Sequence, residues 1–255
     1  MKGQLNAFLT ALQFLTRIRL SYGDNSPAAF QQSVAFFPLV GLLLGIILAG
    51  AWQVLSYLVP ATARAGLVLA LAVFLSGGLH LDGFIDSMDG LFSGRERERI
   101  LAIMKDSHVG AHGVTAVVTL LVVKYSLLTA LPPGHLWLAG LPLPPLLVLM
   151  PVLSRWAMVP ALTCFPYARK EGVGTLFQAG RGRRSLSIAT LITALLSWLI
   201  MGLPGLVYLL LVALVSLGWC GWVRRLLGGL TGDTYGALAE ITEVFILAAY
   251  FFWHW

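Results

Sequence analysis

Long apolar stretches separated by short polar segments recur along the chain from Ser33 to the carboxyl end. A helix that crosses a bilayer needs roughly 20 mostly apolar residues. The pattern therefore predicts an all-α fold, a polytopic transmembrane helix bundle that forms a single integral-membrane domain over residues 1–255. The predicted spans, seven in all, cover residues 33–59, 65–80, 112–131, 143–164, 186–202, 204–223 and 240–253.

The amino-terminal segment 1–25 has a different pattern. It lacks a compact apolar block followed by a small-residue cleavage site, so we do not interpret it as a cleaved signal peptide. Phe8, Leu12 and Leu15 share one side of the segment, and two arginines follow at its end. These features predict an amphipathic helix that lies in the membrane interface.

Composition supports the same protein class. Hydrophobic residues make up 58% of the chain and charged residues 11%, with a mean hydropathy of +0.84, whereas soluble domains average about 25% charged residues. The net charge of +6 comes from basic residues dispersed among short loops, without an aromatic-basic recognition module. Nucleic acid is therefore not an expected partner. Cys164 and Cys220 are expected to be unpaired thiols.

The loops between the predicted spans differ in basic content. Arg64 is the only charge in the first set of loops, which covers residues 60–64, 132–142 and 203. Eleven Lys and Arg residues occur in the second set, which covers residues 81–111, 165–185 and 224–239. The positive-inside rule predicts that the second set faces the cytoplasm.

Two features inside the spans have structural consequences. Gly41, Gly45 and Ala49 recur at four-residue spacing and predict a close approach of two helices. Lys124 and Arg155 lie within apolar spans, where lipid cannot solvate a charge, so each is expected to face a polar cavity or a carboxylate. We interpret Arg155 as an anion-binding residue because its guanidinium suits bidentate phosphate contact; no role is preferred for Lys124.

Nine of the eleven carboxylates fall in two short segments, residues 82–106 and 233–243, and the first of these begins within GGLHLDGFIDSMDGLFSG. Asp82, Asp86 and Asp89 are spaced by four and three residues, which at about 100° per residue places them on one helical face. Such a group of carboxylates repels itself unless a hard divalent cation such as Mg²⁺ binds there with substrate phosphates. His80 points away from this face unless one of the nearby glycines bends the chain.

The second acidic segment, GGLTGDTYGALAEITEV, joins a glycine-rich turn to Asp233, Glu240 and Glu243. Flexible glycines let backbone N–H groups approach a phosphate, and threonine hydroxyls can donate hydrogen bonds to it. We therefore predict that Asp233 is catalytic, that Glu240 and Glu243 complete the metal site, and that substrate is bound by Thr231, Gly232 and Thr234.

Two further polar stretches are candidates for substrate binding. Lys105 and Asp106 lie in IMKDSHVGAHG, where the lysine can neutralise a phosphate. Arg169 lies in FPYARKEGVG and can line the entrance to the same substrate-binding site.

These four polar segments and the opening ALQFLTRI resemble, in order and in spacing, those of the cobalamin synthase family, the adenosylcobinamide-GDP ribazoletransferases. The resemblance implies that adenosylcobinamide-GDP is joined to α-ribazole or its 5′-phosphate with release of GMP, the last assembly step of the cobalamin nucleotide loop. It also implies magnesium dependence and a location in the bacterial inner membrane. The basic loops predict that the active site of this multi-pass protein faces the cytoplasm. His108 departs from the family pattern, in which an arginine is expected.

The resemblance also suggests a mechanism and a set of partners. Asp82, Asp86 and Asp89 would hold Mg²⁺ on the pyrophosphate, with Glu240 or Glu243 completing the site. A carboxylate such as that of Asp233 would act as base toward the ribose 3′-hydroxyl. Membrane lipid is an expected partner, as are further copies of the chain or other late enzymes of the cobalamin pathway.

Three alternatives remain open at this point. Membrane CDP-alcohol phosphatidyltransferases and prenyltransferases share an acidic, metal-binding helix end, but the phosphatidyltransferase pattern expects Ala-Arg where Ile85 and Asp86 stand. A cation transporter would carry its carboxylates at the middle of the spans, whereas the acids here are predicted at the cytoplasmic ends.

Overall fold

The computed structural model describes residues 2–19, 26–131, 143–172, 174–175 and 182–253. Within these ranges the regular elements are helices, with a single isolated β-bridge and no strand, so the all-α prediction is confirmed. A short 3₁₀ turn, Val34–Phe36, links the second and third helices. The helices are α1 Lys2–Leu15, α2 Pro27–Ser33, α3 Phe37–Ser56, α4 Ala61–Ser76, α5 Leu79–Leu91, α6 Arg97–Ile103, α7 Ala111–Ala130, α8 Pro145–Cys164, α9 Arg183–Met201, α10 Leu203–Leu227 and α11 Gly232–Trp253.

Six helical segments in the described part of the chain are long and apolar enough to cross a membrane. They confirm five predicted spans, in α3, α7, α8, α9 and α10, and a sixth candidate is α11. Helices α4 and α5 pass the same test only jointly, because each is too short by itself, and the two meet at an angle of 90°. The predicted number of seven spans is therefore reached only if this bent pair counts as one.

The predicted span 65–80 is wrong in its end, because the chain bends before residue 80. Gly77 and Gly78 both adopt left-handed backbone conformations, with φ of 67° and 74°. Side chains with a Cβ rarely take such angles, so consecutive glycines permit the turn. As a result α5 leaves the direction of α4 and packs against α11 and α7.

Helix α8 lies at the centre of the bundle, buried along nearly its whole length, and contacts α3, α11, α9 and α10. The predicted close helix approach is the crossing of α3 with α8. A Cβ on Gly41 would lie 2.7 Å from the carbonyl carbon of Pro151, and one on Gly45 would lie 2.9 Å from the Cα of Val148. Only glycine allows this separation of the two backbones.

The outer helices expose apolar side chains. Val118 of α7, Leu195 of α9 and Leu214 of α10 are each more than half exposed, at 54%, 57% and 59%. Contiguous apolar surface of this kind is unusual on a soluble monomer and is expected where helices meet lipid. The exposed faces of α7, α9 and α10 therefore support a multi-pass membrane protein.

The last predicted span, 240–253, begins too late. Helix α11 starts at Gly232, because Thr231 caps its first turn and this local hydrogen bonding outweighs the low helix propensity of the glycines. Glu240 and Glu243 thus lie well inside a spanning helix. The prediction that all acids cluster at the cytoplasmic ends is therefore wrong for these two residues.

Candidate active site

The two acidic segments meet where α5 crosses α11. A Cβ on Gly83 would lie 2.8 Å from the carbonyl oxygen of Asp233, and one on Gly236 would lie 3.1 Å from that of His80. Small residues on both helices thus let the backbones come together. The crossing places the start of α11 beside the middle of α5.

The crossing brings Asp82, Asp86 and Asp233 into one acidic group. Asp86 is half-buried, and its carboxylate interacts electrostatically with those of Asp233, Asp82 and Asp89. Arg169 is the opposing positive charge. Carboxylates that are partly removed from water and close to one another favour a bound cation or a positively charged ligand group.

Arg169 reaches this group from the segment after α8. Its Nη2 atom donates to Oδ2 of Asp233 at 2.8 Å and to the carbonyl oxygen of Met104 at 3.3 Å. Backbone hydrogen bonds hold the segment in place, from Ala168 N to Leu230 O at 2.7 Å and from Leu230 N to Pro166 O at 2.8 Å. The structure thus places Arg169 beside Asp233, and its role in substrate binding stays a prediction.

The threonines of the glycine-rich turn form hydrogen bonds within their own segment of the chain. The amide of Thr231 donates to Oγ1 of Thr234 at 2.9 Å, and the amide of Thr234 donates to Oγ1 of Thr231 at 3.3 Å. Both residues are fully buried, and the Thr231 hydroxyl also donates to Oδ2 of Asp233 at 3.3 Å. In this structure the pair caps α11 and orients Asp233, and Gly232 forms the first residue of the helix. Their role as substrate-binding residues stays a prediction.

Asp89 has backbone donors for both of its oxygens. Gly110 N donates to Oδ2 at 2.7 Å and Gly113 N donates to Oδ1 at 2.8 Å. A side chain on either glycine would collide with the carboxylate, so the contact needs glycine at both positions. Asp89 therefore caps the amino end of α7, and its assignment as a metal ligand stays a prediction.

The segment after α6 lies on the rim of the site. Lys105 is exposed and follows Met104, whose carbonyl oxygen accepts the hydrogen bond from Arg169. Asp106 accepts hydrogen bonds from Nδ1 of His108 at 2.6 Å and from its amide at 3.0 Å, and these hold the pKa of the Asp106 carboxyl below its usual value. His108, which departs from the family pattern, thus contacts Asp106.

A buried ion-pair network joins α7, α8 and α11. The Nζ atom of Lys124 contacts Glu243 at 2.8 Å and also pairs with Glu240, while Arg155 pairs with Glu243. Ser154 donates to Glu243 at 3.1 Å. The expectation that Lys124 and Arg155 each face a carboxylate is confirmed. With two cations and two carboxylates the network is neutral, as a charge cluster inside a membrane must be.

The network lies apart from the aspartates. Seven residues separate Asp233 from Glu240 along α11, a rise of about 10 Å. Oε2 of Glu240 and both carboxylate oxygens of Glu243 have basic partners, and the guanidinium of Arg155 has an acidic partner. In the structure these three residues therefore belong to the ion-pair network. Their assignment to metal and substrate binding stays a prediction.

His80 belongs to the neighbourhood of this network. It is 2% exposed, and its electrostatic partners are Arg155, Glu243 and Lys124. The glycine bend precedes His80, and the orientation that the helical spacing predicts for its ring stays a prediction.

Metal binding by the aspartates needs groups from outside the chain. Within the described residues no set of three or more His, Cys, Asp or Glu side chains is arranged to hold a metal ion. Mg²⁺ in enzymes is usually bound by one or two carboxylates together with substrate phosphates and water. The oxygen ligands of Asp82 and Asp86 fit that requirement.

A cavity of about 190 Å³ lies beside the aspartates. Phe14, Phe37 and Met158 are among its apolar lining residues, and Asp82 and Asp233 also line it. Sequence reasoning missed the three apolar residues because they come from α1, α3 and α8, and nothing in their local pattern distinguishes them from other core positions.

The fold and the site together define a polytopic helical membrane protein with an acidic, arginine-containing site next to an apolar cavity, a combination suited to a phosphorylated substrate with an apolar part. The comparison with known families is more specific. The chain belongs to the cobalamin-5-phosphate synthase family, whose model matches residues 7–251.

Relatives cover nearly the whole chain. A protein of Desulfitobacterium hafniense (strain Y51) named adenosylcobinamide-GDP ribazoletransferase is 43% identical over 247 residues, covering 94% of each chain. A protein of the same name from Syntrophobacter fumaroxidans is 43% identical over 246 residues, covering 95% of this chain and 96% of its own. No solved structure matches the chain.

The ion-pair network generates a prediction about stability. Lys124→Met leaves Glu240 buried without a cation, which should destabilise the protein by roughly 3 to 5 kcal/mol. Adding Glu240→Gln removes the unpaired charge and should restore much of the loss. Thermal unfolding in detergent measures both changes, with the exposed Lys105→Met as control. A double variant no more stable than Lys124→Met would contradict the pairing.

Proposed function

We propose that this protein is a membrane transferase that joins adenosylcobinamide-GDP to α-ribazole or its 5′-phosphate and releases GMP. The products are adenosylcobalamin or its 5′-phosphate. Family membership over residues 7–251 supports the reaction. The observation that carries the site is the meeting of Asp82 and Asp86 with Asp233 and Arg169 at the crossing of α5 and α11.

Each of these side chains has a role in the proposed transfer. Arg169 binds the pyrophosphate, because a guanidinium forms paired hydrogen bonds to phosphate oxygens. Asp233 accepts the proton of the attacking 3′-hydroxyl of α-ribazole. Both of its contacts with donors in the described chain involve Oδ2, which leaves Oδ1 for that proton.

Bonds and charges balance in this step. The 3′ oxygen forms a bond to the phosphorus that carries the corrinoid, and the bond from that phosphorus to the bridging oxygen breaks. The bridging oxygen leaves with GMP. Phosphoryl transfer needs mainly positioning and neutralisation of charge. Arg169 supplies positive charge for the phosphates, and the acidic group, itself negative, contributes through the cation that it would hold.

We also propose that the enzyme uses Mg²⁺, held by Asp82 and Asp86 together with the substrate's own phosphate oxygens. When bound, Mg²⁺ neutralises the pyrophosphate and stabilises the departing phosphate. The two carboxylates project from one face of α5 at a spacing of four residues, so a single cation can contact both.

The metal proposal predicts the effect of one isosteric change. Asp86→Asn keeps the shape of the side chain and removes its charge, so GMP release should fall roughly 100-fold or more while membrane insertion stays normal. GMP is measured at a series of Mg²⁺ concentrations, and the exposed Glu96→Gln serves as control. Near-normal turnover of Asp86→Asn at limiting Mg²⁺ would remove Asp86 from the site.

The substrate proposal has its own test. Purified protein with Mg²⁺ should convert adenosylcobinamide-GDP and α-ribazole into adenosylcobalamin and GMP in equal amounts. CDP-diacylglycerol with an alcohol acceptor should yield no CMP. Release of CMP from the lipid, with the corrinoid unchanged, would assign the acidic site to a phosphatidyltransferase.

We propose that the site faces the cytoplasm of a bacterial inner membrane, because the basic loops flank it. In a variant with Cys164→Ser and Cys220→Ser, a cysteine at Ser107 should resist a membrane-impermeant thiol reagent in intact cells. A cysteine at Leu58, between α3 and α4, should react. The reverse labelling pattern would invert the orientation.

A further inference from the structure

The cavity beside the aspartates has a wall suited to an aromatic ring. The half-buried ring of Phe14 stacks on the fully buried ring of Phe37, with centroids 6.1 Å apart and an interplanar angle of 21°. Met158 and Leu162, 3% and 4% exposed, contribute aliphatic surface from α8. An aromatic ligand is favoured against such surface, both by removal of apolar area from water and by ring stacking.

The cavity also has polar lining residues. Asp82 of α5 and Asp233 of α11 line it together with Gly232. His80 and Tyr235 also border the cavity, but the ring nitrogens of His80 and the hydroxyl of Tyr235 are buried. The cavity therefore suits a molecule with an apolar flat end and a hydroxyl-bearing end.

We propose that this cavity binds the aromatic base of the ribazole acceptor, with the ribose directed toward Asp82 and Asp233. This inference rests on the proposed function and adds to it the site of acceptor selection. Ribazole is the riboside of a dimethylated benzimidazole, a bicyclic base without exocyclic polar groups. Its ribose supplies the hydroxyl that must reach the carboxylates.

The other parts of the two substrates fit the cavity less well. Guanine carries several hydrogen-bond donors and acceptors, and burial of such groups without partners is costly. The carboxylates of the cavity only accept hydrogen bonds, so they leave the acceptors of guanine without partners. The corrin ring is much larger than the cavity. An engineered apolar cavity of about 150 Å³ binds benzene, and the present volume of about 190 Å³ is of the size that a small aromatic base requires.

The inference is tested by filling the cavity. Met158→Phe adds bulk at the wall, so the KM for α-ribazole should rise roughly tenfold or more. The KM for adenosylcobinamide-GDP should stay within about twofold. The KM for the riboside of benzimidazole, which lacks the methyl groups, should rise less. The preference between the two acceptors should therefore shift toward the smaller one. Met158→Trp should increase each effect.

Met150→Phe is the matched control, because Met150 lies in the same helix, is 6% exposed, and does not line the cavity. It should leave acceptor preference unchanged, and thermal unfolding shows whether either variant is folded. An unchanged KM and acceptor preference in folded Met158→Phe and Met158→Trp would overturn the inference, as would a rise confined to the KM for the corrinoid. Failure of the wild type to use any acceptor would instead reject the proposed function.

Discussion

The close contact of α5 with α11 is the constraint on which the candidate site depends. No side chain separates the two backbones at Gly83 and Asp233, and this brings carboxylates that lie about 150 residues apart in the chain into one group. Such a contact is possible only because consecutive glycines, Gly77 and Gly78, first turn α5 away from α4. The bend after α4, the crossing of α5 with α11 and the acidic group therefore form one structural unit.

The ion-pair network complements this unit. Lys124 and Arg155 neutralise Glu240 and Glu243 inside the bundle, and so connect α7 and α8 to the same helix that carries Asp233. Charges buried away from water require such partners. The acids of α11 thus lie in two environments along one helix: Asp233, at its beginning, pairs with Arg169, and the two glutamates pair with Lys124 and Arg155.

The site also combines two chemical environments. On one side lie carboxylates and Arg169, which suit phosphate groups and a divalent cation. Next to them lies a largely apolar cavity, to which α1, α3, α5, α8 and α11 contribute lining residues. An enzyme that joins a pyrophosphate-bearing corrinoid to an aromatic riboside needs both environments in contact, and the crossing of α5 with α11 provides their boundary.

Much of this protein can be predicted from its sequence, because the properties concerned are local. The length of the apolar stretches predicts the spans in α3, α7, α8, α9 and α10, and the spacing of Asp82, Asp86 and Asp89 predicts their common face. Glycines at four-residue spacing predict the crossing of α3 with α8.

Tertiary structure alone decides which of these residues act together. Spacing places Glu240 and Glu243 on one face, but only packing shows that Lys124 and Arg155 meet them there. Likewise, the bend after α4 depends on two backbone angles that apolar periodicity does not contain. Phe14, Phe37 and Met158 form a cavity only once α1, α3 and α8 are assembled. Contacts between distant segments depend on the shape of the whole bundle, and a local pattern cannot specify them.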